Sequence, residues 1–392
     1  MIRAKRVLDN IESGRYDRLF AQRYGEEKTA EQKERYRVAL EFFGKTYGYD
    51  REIRLYSVPY SVILGSDGAD IAIPTDIDRL ALVAVNGTNV TRLRAKDFTG
   101  EDNMDMYQHG PYSDEYDRTM GVLRGMRQAF MRWDRKFTDG LDIYLDCPTL
   151  PGIGLDERAH LAATLAYIFN VQAFDGKITP KELGDMVQWT LINYALTDGY
   201  LTDTYSTLLG KVLTGEYSDL ENADINEIEG LGMADCGLYT VNVGDKKLMA
   251  PEDMDPGRAA KFAKWLSKES IDEVTDKEFY AALAEKETED IDAAVYYMDY
   301  MAINNFSDIY YDNFVQGDGS PSLDQSVERE KESTKGAAAK WYCKPYTYYG
   351  MVLCCVKDEA KEEFYKACEK LFGDGCVTPV KTAVFAAEKV IG

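Results

Sequence analysis

Apolar positions recur at helical spacing through the opening of the chain, to about Gly48, and "RYRVALEFFGKTYG" gathers Val38, Leu40, Phe42 and Phe43 into an apolar cluster. The pattern then changes. "EIRLYSV", "YSVILG", "IAIP" and "RLALVAV" are short runs rich in β-branched and apolar residues, punctuated by Pro59, the Gly65 to Gly68 turn and Pro74. They predict a sheet of antiparallel or mixed strands. A long helix is expected from about Tyr112 to Phe137, and "GLDIYLDC" predicts a strand that runs into "LPGIGLDERAHLAATLA", from Leu150 to Ala166. The helix after Asp156 carries Leu161, Leu165 and Ile168 on one side. In "TPKELGDMVQWTLINYAL" the Thr179 and Pro180 pair supplies an N-cap and a first-turn residue. "LTDTYSTLLGK" is a third helical piece.

Beyond about Lys211, "GLYTVNV" and "YGMVLCCV" read as strands, whereas "PGRAAKFAKWLSK", "TDKEFYAALAEK", "IDAAVYYMDYMAINN" and "DEAKEEFYKACEKLFG" read as helices. The stretch from Gln316 to Gly336 is polar and holds almost no large apolar residue, as in a surface loop. No internal repeat has a fixed period. A chain of 392 residues exceeds the size at which single cores stop growing. Two α+β lobes with a cleft between them are therefore expected, 1–211 strand-rich and 212–392 mixed.

Composition narrows the partners. The chain has 46 basic and 68 acidic residues, a formal net charge of -22, which argues against binding nucleic acid by neutralising phosphates. Seven cysteines lie at Cys147, Cys236, Cys343, Cys354, Cys355, Cys368 and Cys376 without C-x-x-C spacing, and the imidazoles are His109 and His160. That distribution speaks against a zinc site or a disulfide framework. The charged N-terminus "MIRAKRVLDNIESGRYDRLF" has no apolar h-region, and no run of about 18 apolar residues occurs. A cytoplasmic protein without membrane spans is the expectation.

The chemistry begins at "GIGL". A glycine-containing turn that opens a helix leaves backbone N–H groups at the positive end of the helix dipole, where an anion is favoured. Two glycines alone are weak evidence. Asp156 also caps a helix, and Glu157 favours its first turn, with or without a ligand.

Several segments in register resemble galactokinase, a sugar kinase of the GHMP superfamily. "SVPYSVILGSDGADIAIPTDIDRLALVAV", from Ser57 to Val85, follows the course of the family's first motif, A-P-G-R-V-N-L-I-G-E-H-T-D, and its next strand. Gly65 to Pro74 is shorter than the family pattern. Tyr60 stands where the family has the Arg that supports phosphoryl transfer. The family's E-H-x-D, which holds the sugar hydroxyls, is replaced by "GSDGAD", leaving Asp67 or Asp70 for the sugar.

"GIGLDERAHL", from Gly152 to Leu161, resembles the family's phosphate motif P-x-G-x-G-L-S-S-S-A-A-L. Gly152, Gly154 and Leu155 keep its register, and Asp156, Glu157 and Arg158 replace the serines. Two carboxylates about 4 Å from a phosphate oxygen would each be repelled by up to roughly 4 kcal/mol at an effective dielectric of 20. The alternative is that Asp156 or Glu157 ligates Mg²⁺ bridging the phosphates while Arg158 neutralises one oxygen.

"ITPKELGDMVQ" and "LTDTYSTLLGK" resemble two further family helices, and the second places Asp203 on the family's catalytic aspartate, which also meets the sugar. Asp203 read without the resemblance is equally a solvated helix residue. Met254 falls where the family has a sugar-contacting Tyr. In "AKWYCKPYTYYGMVLCCV", Gly350 is all that remains of the family's closing glycine run, and Lys344 is the one phosphate partner left there.

The resemblance implies ATP-dependent, Mg²⁺-dependent phosphorylation of the anomeric hydroxyl of galactose or a related sugar, with Asp203 as base. The replaced motif residues imply the alternative: a non-catalytic descendant that binds a sugar, a nucleotide or a protein partner.

Overall fold

The computed structural model describes residues 2–66, 69–96, 100–108, 110, 112, 114–116, 118–146, 157–196, 201–219, 222–227, 236–242, 266–268, 341–346, 351–358, 361–382 and 385–391. The loop from Gln316 to Gly336, Met254, Gly350 and the three helices expected between Pro256 and Asn305 lie outside them, apart from a short turn at 266–268.

The chain opens with the short strand β1 (Ile2–Arg3) and the helices α1 (Ala4–Glu12), α2 (Asp17–Tyr24) and α3 (Thr29–Tyr47). Each helix buries one stripe. Ala4, Val7, Leu8 and Ile11 do so in α1, and Tyr36, Ala39, Leu40 and Phe43 in α3, at i, i+3, i+4 and i+7. The expected cluster around Phe43 is corrected in one member. Val38 lies off this stripe and is 42% exposed, whereas Phe42 stacks on Tyr144 at 4.6 Å.

β2 (Glu52–Ser66) and β3 (Ala69–Val85) form one long antiparallel hairpin. The four short runs of the sequence are thus two strands, and neither Pro59 nor Pro74 ends one. A proline removes a ladder donor and is tolerated where the ladder is already irregular. The register shifts between Pro59 and Ser61, so that Thr75, Asp76 and Ile77 stand opposite Tyr60 alone. Strands β4 (Val90–Ala95), β5 (Asp102–Asp105) and β6 (Leu141–Asp146) extend the sheet, β6 pairing antiparallel with β3 and parallel with β4. The expected helix from Tyr112 to Phe137 is shorter, α4 (Thr119–Arg132), and its C-cap is Trp133.

This sheet is buried on both faces. Ile53, Leu55, Leu80, Leu82, Ala84 and Tyr144 pack against α1 to α3. Their alternates Tyr56, Val58, Ala81, Val83, Ile143 and Leu145 pack against α4 and the next helices, α5 (Glu157–Phe174) and α6 (Pro180–Thr190). "RLALVAV" lacks a polar alternate for that reason. Thr179 and Glu182 form the capping box that starts α6. A π-helical turn, Leu191–Ala195, follows α6, and α7 (Leu201–Leu209) comes next.

β7 (Leu213–Asp219) and β8 (Asn222–Glu227) return to the first sheet through β3. The second sheet has the order β10-β11-β9-β12, from β9 (Cys236–Asn242), β10 (Trp341–Tyr346), β11 (Met351–Lys357) and β12 (Val377–Val380), with α8 (Lys361–Phe372) between the last two in sequence. β13 (Glu388–Ile391) pairs with β2. Among the described residues no helix is long and apolar enough to cross a membrane.

A buried ion network ties the first helices to this sheet. Arg35 of α3 donates to Asp78 Oδ1 and to Asp146 Oδ2, both at 2.6 Å, and to the two backbone carbonyls at 2.8 and 3.1 Å. Tyr24 donates to Asp78 Oδ2 at 2.7 Å, and Ser57 Oγ donates to the same oxygen. Burial opposes ionisation of Asp78, but the charges of Arg35 and Arg23 and the Ser57 and Tyr24 hydroxyls outweigh it and hold the carboxyl below its ordinary 3.8. Ionised Asp78 therefore stabilises the fold above the unfolded value, and this contribution is lost as pH falls through the lowered native value. Asp78→Asn should cost about 3 to 5 kcal/mol at neutral pH, because it leaves Arg35 under-compensated. Urea unfolding of both proteins should show the gap narrowing below about pH 4.

Candidate active site

The irregular register of the β2–β3 hairpin sets up the site. Tyr60 and Ser61 are consecutive, yet both reach helices of the same layer: Tyr60 lies against α5 and Ser61 against α7. A regular strand would send them to opposite faces. Thr75 Oγ1 fixes the irregularity by donating to the Tyr60 carbonyl at 3.0 Å.

Asp203 sits in the first turn of α7 and is buried, which corrects the solvated reading. Ser61 Oγ donates to Asp203 Oδ1, lies 3.3 Å from the Asp203 carbonyl and stands 3.4 Å from Thr207 Oγ1, one turn along α7. The helix can approach closely because α6 has Gly184 beneath it: a Cβ there would fall 1.9 Å from Tyr205 Cε1. The chain enters α7 from the π-helical turn and Leu196, whose backbone is left-handed at φ 53°.

Tyr60, the neighbour of Ser61 in the chain, belongs to a column of rings and charge. His160 of α5 stacks on Tyr60 with ring centroids 3.6 Å apart and planes 12° from parallel. His160 Nε2 lies 3.2 Å from the Val58 carbonyl and 3.1 Å from that of Pro59, so it carries the proton and donates. Among the described residues Nδ1 has no hydrogen-bond partner. Arg79 of β3 donates to Tyr60 Oη at 3.0 Å and holds its guanidinium carbon 5.4 Å from the ring centroid. Burial, followed by the Arg79 charge, pushes the His160 imidazole well below its ordinary 6.5, against the pull of the two carbonyls.

The expected phosphate loop is only partly described. Gly152, Gly154, Leu155 and Asp156 lie outside the described residues, as does Asp67. Glu157 opens α5, and Arg158 follows it, half-buried in the first turn. Asp70 is in β3 opposite Gly65 and Gly215, and Lys344 is in β10 opposite Leu353. The side chains of Glu157, Asp70 and Lys344 lie outside what is described. Asp203 is thus an expected residue placed in a defined set of contacts. Ser61, His160 and Arg79 were not singled out. The sequence signals were slight: a histidine inside the Ala-rich "AHLAA", and the "IDR" that precedes an apolar strand.

The sequence matches no protein-family model, and a search of curated proteins finds no match. The fold is similar to several solved kinases. Against Lactococcus lactis galactokinase in complex with galactose the TM-score is 0.57 at 15% identity, covering 89% of this chain and 98% of that one. A D-glycero-D-manno-heptose 1-phosphate kinase from Bacteriodes thetaiotaomicron gives 0.52 at 13% identity, with 86% and 98% covered. The Methanococcus jannaschii mevalonate kinase gives 0.50 at 14% identity, with 85% and 98% covered. The chain has the α+β fold of the GHMP kinases.

A histidine kept neutral by burial costs stability once the unfolded chain can take up a proton that the native state refuses. Stability should fall below about pH 6.5 by up to about 1.4 kcal/mol per pH unit. In His160→Phe, which keeps a stacking ring, that slope should be absent between about pH 5.5 and 6.5. Chemical denaturation of both proteins across this range measures the difference.

Proposed function

We propose that the chain is an ATP-dependent kinase of a small polyhydroxylated substrate, of the galactokinase type, with Asp203 as general base. One observation carries this reading: Asp203 is a buried carboxylate at the start of α7, oriented by the Ser61 hydroxyl. Burying a carboxylate is costly, and a serine that fixes its direction is what a base in proton transfer requires.

In this reading Asp203 takes the proton of the substrate hydroxyl as that oxygen forms a bond to the γ-phosphorus of ATP. The bond between the γ-phosphorus and its bridging oxygen breaks, and ADP leaves with the electron pair. Asp67 and Asp70 are the candidates for contacts to the sugar. Gly152, Gly154 and Leu155 would form the turn for the phosphates, with Arg158 and Lys344 adding positive charge. Among the described residues no three metal-ligating side chains converge, and the donors that suit Mg²⁺ are the carboxylates of Asp156 and Glu157. The ion, when bound, supplies charge neutralisation at the phosphates. We keep the division into two lobes as part of the proposal: 1–211 builds most of the first sheet, and 212–392 holds the second while lending β7, β8 and β13 to the first.

A second reading, a non-catalytic protein that binds a sugar or nucleotide or serves as a scaffold, is favoured by the Tyr60 and His160 stack. At the position where the resemblance expects a cationic Arg, a neutral phenol lies on a neutral imidazole.

Incubation with Mg²⁺-ATP and a panel of hexoses, with products followed by phosphorus NMR, separates the two. Transfer to one sugar is expected, lost in Asp203→Asn at an unchanged melting temperature. Binding of a hexose without transfer to any would establish the second reading instead. In the second reading, where Asp156 and Glu157 only repel phosphate, replacing Asp156, Glu157 and Arg158 together by Ser should lower the Kd for Mg²⁺-ATP tenfold or more, roughly 1 to 3 kcal/mol, by removing two like charges. Calorimetric titration at fixed ionic strength reads this. A loss of binding would mean that the acidic pair holds the metal.

A further inference from the structure

Opposite Tyr60, β3 has two residues more than the ladder needs, and the way they are held decides what Ser61 meets. Pro59 pairs with Asp78 and Ser61 with Pro74, so Thr75, Asp76 and Ile77 take up the length of one residue. The ladder is paired on both sides of this bulge, so the excess cannot vanish by slippage, and its shape is what remains to be fixed. Thr75 holds it from within. Its Oγ1 donates to the Tyr60 carbonyl at 3.0 Å and accepts from the Ile77 N–H at 3.3 Å.

Asp76 ties the same bulge to a distant part of the chain. Its N–H donates to the Lys381 carbonyl at 2.8 Å, and the Lys381 N–H returns a bond to Asp76 Oδ1 at 3.0 Å. The second carboxylate oxygen accepts from Lys28 Nζ at 2.5 Å. Alongside, Thr75 and Thr382 form an antiparallel bridge, and Lys381 Nζ pairs with Glu27. Asp76 is buried, and both of its oxygens are engaged, so the cost of that burial is met. A reciprocal pair of bonds fixes the distance and the direction of the middle residue of the bulge, which an apolar contact would not do. Lys381 directly follows Val380, the last residue of β12. The clasp therefore anchors the bulge where the chain leaves the second sheet for the first.

We propose that Asp76 is a positioning residue for proton transfer by Asp203. Through its two bonds to Lys381 it sets the shape of the bulge, and the bulge sets the line along which Ser61 Oγ meets Asp203 Oδ1. The catalytic half of this proposal rests on the kinase reading, and the geometric half does not.

Two measurements on the full chain test it. The first is a cycle of urea unfolding in which Ser61→Ala is made in wild type, in Asp76→Ala and in Asp76→Asn. Ser61→Ala should lower the urea midpoint in wild type but change it much less in Asp76→Ala, where the hydroxyl is already displaced. Asp76→Asn keeps an oxygen for the Lys381 N–H, so there the full effect of Ser61→Ala should return. If Asp76→Ala does not fold, Asp76→Glu takes its place in the cycle, since it keeps the charge for Lys28 and moves the carboxylate by one methylene. The second measurement is the pH profile of kcat for transfer to a hexose. In Asp76→Ala kcat should fall about tenfold to a hundredfold with KM little changed. The acid limb should move to higher pH, as in Ser61→Ala, because losing a hydrogen bond to an ionised carboxylate raises its pKa. Asp76→Asn should keep the wild-type profile. A residue that only supports the fold would lower the urea midpoint and leave the acid limb in place. Additive urea losses, an unmoved acid limb, or an Asn variant as impaired as the Ala variant would each overturn the proposal. If wild type transfers phosphate to no hexose, the kinase reading falls, and the urea cycle alone decides whether the clasp sets Ser61.

Discussion

The guanidinium of Arg35 is the point on which the first sheet and its helices depend. It bridges carboxylates on adjacent strands, Asp78 of β3 and Asp146 at the end of β6, and it comes from a helix that packs across their face. A sheet covered on both sides has no water to absorb a misplaced charge, so each of these groups is tolerable only with the others in place. Tyr24, Tyr36, Ser57 and Arg23 complete the set, and Arg23 carries it to Glu388 of β13. One side-chain network thereby fixes the relation of α2, α3, β2, β3, β6 and β13.

That rigidity is what the opposite face uses. The strands that hold Asp78 and Ser57 toward the first helices hold Arg79 and Tyr60 toward α5. The irregular register then adds Ser61 to the same side, where it meets α7. The site is a meeting of a strand defect with two helices. Its chemistry differs from the family pattern in a correlated way. Tyr60, where an Arg is expected, is matched by His160 where the resemblance has an alanine, and the two rings occupy the space together.

Much of the local structure could be read from the residues. The Thr179 and Glu182 box, the apolar stripe of α1 and the doubly buried "RLALVAV" each have a pattern within a few residues. The prolines misled because their ordinary meaning is a strand end, and at Pro59 the ladder is irregular for another reason, the three residues opposite Tyr60. The expectation at Asp203 came from register with a known family, and its burial in α7 could not be read from the residues around it. Ser61 was not legible, since its role comes from a contact with a residue far along the chain. The same holds for Arg35 and Asp78, because an arginine in an amphipathic helix looks like any solvated charge until the fold buries it.

The outer edge of β2 is shared by the two ends of the described chain: Ile2 and Arg3 pair with Ile53 and Glu52, and Glu388 and Lys389 pair with Ser57 and Tyr56 just beyond them. During synthesis β2 leaves the ribosome early, and much of its edge waits for a partner that is made after every other described element. Over that interval the strand offers unpaired N–H and C=O groups to any other extended segment. The closure is also among the most non-local in the molecule, and such pairings form slowly. A nascent or C-terminally clipped chain therefore leaves open the stretch of β2 at Tyr56 and Ser57 that β13 covers in the finished fold.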